Sequence, residues 1–239
     1  MSSSELALAA TNVRSRFLEG FSSFELKIIL AAARHRHFAP HSVVANQGDP
    51  ADHLFLLTKG RARFFLNTPE GKKIILFWLT PGEVIGGAAL VSNPALYLAS
   101  TETVKDSSML VWDRAVIRNL ASRYPRLLEN ALPIAYDYFA WYIADHVALV
   151  ADTARQRLAR VLVCLAQTIG KRVPDGYEFD VTNEELSAAA NVTPFTASRL
   201  LSGWQREGSV LKSRGKLLLR SPERLCTCSL HKKNLASTR

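Results

Sequence analysis

Residues 193–199 read Thr-Pro-Phe-Thr-Ala-Ser-Arg, an order suited to a helix start that meets an anion. Thr193 is a natural N-cap, and Pro194 takes the first helical position, where a missing N–H costs nothing. The hydroxyls of Thr193 and Thr196 then lie near the unpaired amides of the helix's positive end, where phosphate oxygens bind. Arg199 falls on the exposed side five residues after the proline and can give two hydrogen bonds to guanine O6 and N7. Ser198 accompanies it, and Phe195 places a bulky apolar group among these polar ones. The chemistry implied is recognition of a duplex in its groove.

Such readers need an element to hold them. Thr182 and Glu185 have capping-box spacing, and Leu186 with Ala188–Ala190 gives a first helix small enough for close approach. Ala-Asn-Val at 190–192 supplies a turn, and Leu200, Leu201 and Trp204 form the buried side of the second helix. This is a helix-turn-helix pattern. After it, "GSVLKSRGKLLLRS" reads as two short strands around Arg214–Gly215, with Arg214 and Lys216 at the tip as further cationic contacts. Residues 199–239 hold ten Lys or Arg against two Glu and no Asp, so the basic charge sits with the reader.

The whole chain has 239 residues, 48% apolar and 21% charged, with net charge +9. That fits a soluble globular protein with a real core and an anionic partner. Three cysteines, an odd number, point to a reducing compartment, and the N-terminus lacks the apolar run of a signal peptide. The most apolar stretch, 132–152, carries Asp137, Asp145 and His146, which would be costly in lipid, so no membrane is expected. The cytoplasm is the expected location. No nucleophile–base pair, phosphate-binding loop or paired carboxylates stand out, so an enzyme is not expected.

Upstream, Ser22 and Glu25 predict a capped helix over 22–36, with His35 and His37 at its end. From Ser42 to Trp112, "HLFLL", "RARFFL", "KKIILFWL", "EVIGGAAL" and "SSMLVW" read as strands punctuated by Gly48, Gly60, Gly71 and Gly82, the pattern of a β roll. "TPEGKK" is a hairpin turn. After Asp113 the texture is helical. From Pro125 to Val150 the residues Leu132, Ala135, Phe139, Tyr142, His146 and Leu149 recur at steps of three and four, a seven-residue repeat. Ile134, Tyr138 and Trp141 make a second apolar stripe. A helix apolar on two sides needs two partners: one face can bury on the chain's own roll, the other on a second copy through Ala135, Phe139, Tyr142, His146 and Leu149. A hinge is expected near 151–153, then a helix ended by Gly170. "KRVPDGYEFDV" reads as a turn and a strand, and the last residues as a mobile tail.

A glycine-punctuated roll, a long dimerising helix and a winged helix-turn-helix, in that order over about residues 20–222, resemble the cyclic-AMP receptor protein/FNR superfamily of bacterial transcription regulators. Gly48, Gly60, Gly71, Gly82 and Gly86 stand where that resemblance expects turns. It implies an α+β fold: a roll sensor domain with its N-terminal helix over 1–120, a dimerisation helix over 121–151, a winged helix-turn-helix over 152–222 and a basic tail over 223–239. It also implies a homodimer on a two-fold-related DNA site, with RNA polymerase as a further partner.

The departures set the expected effector. Gly87 stands where cyclic-nucleotide binders of this type keep a glutamate, and Tyr97–Leu98 where they keep an arginine with serine or threonine. A buried phosphate without cation or donors is heavily penalised, so cyclic nucleotide in the usual mode is not expected. A cavity at Gly87, Ala88, Ala89, Leu90, Tyr97 and Leu98, roofed by Tyr138, Tyr142 and Ile143, would suit a small hydrophobic or planar effector. The other reading is that these side chains fill it themselves. The cysteine-ligated iron–sulfur cluster of the FNR branch is excluded, because no cysteine precedes Cys164. Haem stays open as an alternative, with His35, His37, His41, His53 and His146 as candidate ligands; no metal is expected at Cys226, Cys228 and His231. In the reader, Phe195 replaces a glutamate that the resemblance places three residues before Ser198–Arg199. Phenylalanine cannot accept from cytosine N4 but can touch a thymine methyl. A sensor module acting on a protein partner is the competing class, and the basic reader speaks against it.

Overall fold

A computed structural model describes residues 14–91, 93, 95–213, 216–220 and 222–225. The chain divides into two compact units, Met1–Ala144 and Asp145–Arg239.

The first unit opens with a 3-10 turn, Arg16–Leu18, and helix α1, Ser23–Ala31, whose Ser22–Glu25 capping box forms as its spacing predicts. Eight strands follow: β1 Arg34–Phe38, β2 Val43–Ala45, β3 His53–Lys59, β4 Ala62–Asn67, β5 Lys73–Leu79, β6 Val84–Ile85, β7 Ser100–Thr103 and β8 Ser107–Asp113. They form two antiparallel sheets, ordered β1-β8-β3-β6 and β2-β7-β4-β5. Helix α2, Arg114–Arg123, leads into the long helix α3, Arg126–Ala151.

The apolar run Leu54–Leu57 is continuous because β3 is buried on both faces. Phe55 and Leu57 join Met109, Val111, Ala62 and Leu79 inside the roll. Leu54 and Leu56 join Leu110, Trp112, Ile29, Ile117 and Leu127 beneath the helices. The Trp112 indole donates to the Ile29 carbonyl at 2.8 Å, so the second cluster also closes a polar contact. Gly60 must be glycine: its φ is +96°, and a Cβ would collide with Ser107 and the Asp106 backbone.

Two expectations need correction. The helix predicted over 22–36 stops at Ala31, and Arg34–Phe38 is an edge strand paired with Met109 and its neighbours in β8. The alanines at 31–33 carry no stop signal, and backbone pairing takes over where side chains are indifferent. His35 and His37 therefore lie on an exposed strand, with His37 Nε2 3.0 Å from Asp106. "EVIGGAAL" pairs only at Val84–Ile85, because Gly86 turns left-handed at φ 79° and starts a 3-10 turn over Gly87–Leu90.

In the second unit, helix α4 spans Ala154–Thr168, capped by Thr153 and Gln156. A hairpin of β9, Lys171–Val173, and β10, Gly176–Asp180, precedes helices α5, Asn183–Ala189, and α6, Pro194–Arg206. Strands β11, Val210–Ser213, and β12, Lys216–Leu219, complete a sheet ordered β11-β12-β10-β9, and a short helix α7 covers Pro222–Leu225. The expected tail beyond Leu225, with Cys226, Cys228 and His231, lies outside the described residues.

One buried charge group bridges the β7-β4-β5 side of the roll. Glu102, 8% exposed, accepts from Arg63 Nε at 2.7 Å and from Lys73 Nζ at 2.8 Å. Burial pushes its carboxyl up, but Lys73 and Arg63 more than offset that and hold it below the usual value. Glu102→Gln should cost about 3–5 kcal/mol by removing the buried negative charge that Arg63 and Lys73 face. The lowered pKa also makes the contribution of Glu102 present above the ordinary carboxylate range and lost as pH falls through it. Urea unfolding of both proteins across that range should show the slope in the wild type and a flatter response in the variant.

Candidate nucleic-acid interface

The reader assembles by local rules. Thr182 Oγ1 accepts from the Glu185 amide at 3.1 Å, and the Glu185 carboxylate accepts from the Thr182 amide at 2.8 Å. α5 ends at Ala190, and Asn191 makes the turn at a left-handed φ of 47°. Thr193 then caps α6, accepting from the Thr196 amide at 3.1 Å, with Pro194 in its first turn. Ala197, Leu201 and Trp204 are buried one and two turns apart, which anchors one side of α6 against the rest of its unit.

That leaves Phe195, Ser198, Arg199, Ser202, Gln205 and Arg206 exposed on the other side. Phe195 is 77% exposed, a cost no isolated surface helix recovers for so large an apolar group. Thr196 is half-buried, and its hydroxyl lies 2.9 Å from that of Thr193. The two threonines are therefore coupled to each other and to the cap. Lys216, expected beside them, places its ammonium 2.9 Å from Glu178, whose carboxylate raises its pKa. Arg214 lies outside the described residues. Among the described residues, α6 itself brings Arg199 and Arg206 to this face.

The residues expected around an effector do not gather into one enclosed wall. Ala89 is buried among the residues under the helices, and Tyr97 inside the roll. The Tyr97 hydroxyl donates to the His53 carbonyl at 2.9 Å and accepts from its amide at 3.1 Å. Ala88 packs at the edge of the roll interior, and a Cβ added at Gly87 would meet nothing within 4 Å. Leu98 is 86% exposed and lines no enclosed space in the single chain. Tyr142 and Ile143, expected in the roof, are also exposed.

Only Tyr138 of that roof packs on the roll, in a contact the sequence reading did not name. Its ring stacks on Phe77 at 4.8 Å and meets Phe64 edge-on at 6.1 Å, and Trp141 meets Phe77 at 5.2 Å. The signal was available: Phe64 and Phe77 fall opposite each other in the β4–β5 hairpin. Burial, then the nearby Glu83 charge, pushes the Tyr138 hydroxyl well above its usual pKa. Glu83 is itself raised by burial, against hydrogen bonds from Thr80. On the neighbouring stripe of α3, roughly a quarter-turn round the helix, Leu132, Ala135, Phe139, Tyr142, His146 and Leu149 are all exposed. Among the described residues no three His, Cys, Asp or Glu side chains come together as a metal site. No helix among them is long and apolar enough to cross a membrane.

Two family models match the chain and between them cover more than half of it: a cyclic nucleotide-binding domain over residues 35–124 and a Crp-like helix-turn-helix domain over 156–228. The chain belongs to the CRP/FNR family of transcription regulators. It is a DNA-binding regulator of that family and not an enzyme. It is similar to the CRP-like cAMP-activated global transcriptional regulator of Mycobacterium tuberculosis, with 22% identity over 187 residues, 77% of this chain and 83% of the relative. The cyclic AMP receptor protein of Thermus thermophilus is 26% identical over 207 residues, 86% of this chain and 93% of that one. Among solved structures, the c-di-GMP responsive global regulator CLP of Xanthomonas campestris superposes with a TM-score of 0.74 at 18% identity, covering 83% of this chain and 99% of that chain.

The Thr193 cap is the local contact on which the reader's first turn rests. Thr193→Ala should lower the stability of the second unit by about 1 kcal/mol. Thermal unfolding followed by the fluorescence of Trp204 checks this, and Thr193→Ser should recover most of the loss.

Proposed function

We propose that this CRP/FNR-family chain acts as a homodimeric, sequence-specific regulator whose two α6 helices enter successive major grooves of a two-fold-related DNA site. The observation that carries it is the exposed face of α6, with Phe195, Ser198 and Arg199 standing clear of a buried Ala197–Leu201–Trp204 spine. Thr193 and Thr196 at the start of α6, with Arg214 and Lys216 at the wing, are assigned to the phosphates. Arg199 is assigned to a guanine, and Phe195 to a thymine methyl where a glutamate would take cytosine. RNA polymerase is the further partner and the cytoplasm the site of action. The division of labour is roll 1–120, dimer helix 121–151, reader 152–222 and tail 223–239.

Dimer pairing is assigned to the exposed stripe of α3. Leu132, Phe139 and Tyr142 are 69%, 61% and 54% exposed, more apolar surface than a helix leaves to water without a partner. The roll is assigned an effector other than a cyclic nucleotide held in the usual way, although relatives are named for cyclic AMP and for c-di-GMP. Residues 86–98 carry no charged side chain. The nearby guanidinium of Arg114 donates to the Val91 and Asn93 carbonyls at 3.0 and 2.6 Å. A small planar or hydrophobic molecule seated near Tyr138 fits such neutral surroundings.

Phe139→Asp should halve the particle mass in sedimentation and abolish binding to a palindromic duplex. A variant that remains dimeric would contradict the assigned seam. Arg199→Ala should cost about 1–3 kcal/mol of DNA affinity and relax one base position, whereas equal loss on every sequence would contradict a base contact. In vitro site selection with the wild type should return a half-site changed at the position facing Phe195. Recovery of a site that keeps the cytosine partner would refute that assignment.

A further inference from the structure

We infer that Arg157 is a positioning residue that locks the turn of the helix-turn-helix to the end of the long helix. The inference rests on the DNA-binding reading and names the part that orients the reader. Arg157 lies in the second turn of α4 and belongs to neither reading helix. Its guanidinium nonetheless joins three backbone carbonyls from two helix ends. Nη1 donates to Asp152 O at 2.8 Å, just past the last residue of α3. Nε donates to Ala190 O at 3.0 Å, and Nη2 to Asn191 O at 3.3 Å, at the end of α5.

Both partners are helix C-termini, whose unpaired carbonyls carry partial negative charge, so one planar cation between them satisfies two ends at once. The neighbouring groups keep the cation on this task. The Asp152 carboxylate, which would otherwise compete for Arg157, is taken by Arg160 Nη2 at 2.6 Å, and its side chain is only 10% exposed. Asp145, the other nearby carboxylate, is partly desolvated, and burial raises its pKa against the pull of Arg160 and Arg157. Asn191 sits at left-handed φ, so its carbonyl direction is set by a conformation that a looser turn would not keep.

Arg157 therefore transmits any displacement of the last turn of α3 to the turn that sets the start of α6. Lysine cannot substitute, because a single ammonium lacks the planar fork that spans three acceptors.

The test uses the full-length chain and a duplex recovered by site selection. Arg157→Lys and Arg157→Met are titrated with DNA over a series of salt concentrations, and amide hydrogen exchange is followed at Asp152, Ala190 and Val192. The expected result is a loss of at least about tenfold in affinity for both variants. The slope of log affinity against log salt should stay at the wild-type value, with faster exchange at those three amides. A slope reduced by about one in the variants would mean that Arg157 touches a phosphate, and would overturn the positioning role. Wild-type affinity in Arg157→Lys would overturn it too. Arg157→Lys keeps the charge and carries the test should Arg157→Met fail to fold. The exchange measurement needs no DNA. Unchanged exchange in Arg157→Lys overturns the lock by itself, while faster exchange in a protein whose wild type retains no duplex supports the lock and overturns the DNA reading alone.

Discussion

The stacking of Tyr138 on Phe77, 4.8 Å between ring centroids, with Trp141 edge-on beside it, fixes one side of the long helix and so decides which side is left over. A 26-residue helix cannot rotate its apolar stripes independently. Once Ile134, Tyr138 and Trp141 face the roll and its helices, the stripe through Phe139 and Tyr142, roughly a quarter-turn round the helix, is set beside that contact, and its residues are exposed. Fully burying each large side chain of that stripe is worth roughly 1.5–3 kcal/mol, so the second stripe supplies a strong drive to pair. The aromatic contact and the proposed dimer seam are thus carried by one helix, and whatever fixes the rotation of α3 at the roll also sets the direction of the proposed seam.

Burial governs the two titratable groups nearest this contact. The Tyr138 hydroxyl is pushed above its usual pKa by burial and then by the negative charge of Glu83. Glu83 is raised in turn by its own burial, and Thr80 provides the donors that keep its carboxylate tolerable. The buried charges of Glu102, Arg63 and Lys73 lie across β7, β4 and β5. There they join strands and do not touch the helix.

The parts of this fold that could be read in the sequence are those governed by short-range rules. Ser22–Glu25 and Thr182–Glu185 state their capping boxes outright, and Pro194 marks the first turn of α6. Leu54–Leu57 states a strand buried on both faces. What could not be read depended on partners far along the chain. Arg34–Phe38 carries no strand pattern and becomes one by pairing with β8, more than seventy residues on. Ser100–Thr103 is polar yet buried, a strand held inside its sheet by backbone pairing with β2 and β4. The face of α6 was legible, since cap, proline and apolar spacing fix it alone. The effector wall was not. Leu98 and Tyr97 are neighbours in sequence but face solvent and core respectively.

If the roll holds an effector as proposed, the absence of charged side chains over residues 86–98 bears on how that effector would act. A ligand shifts a conformational equilibrium only by its difference in affinity for the two states. Where a roll grips a phosphate by charge, most of that affinity comes from the roll itself and is the same in both states; the discriminating part comes from whatever touches the helix. In this chain Gly87 and its neighbours offer no charge to grip, so less of any ligand's affinity is of the state-independent kind. On that proposal, a ligand seated near Tyr138 and Trp141 would derive its affinity largely from the aromatic contact that sets the rotation of α3, and weak total binding would go together with strong coupling.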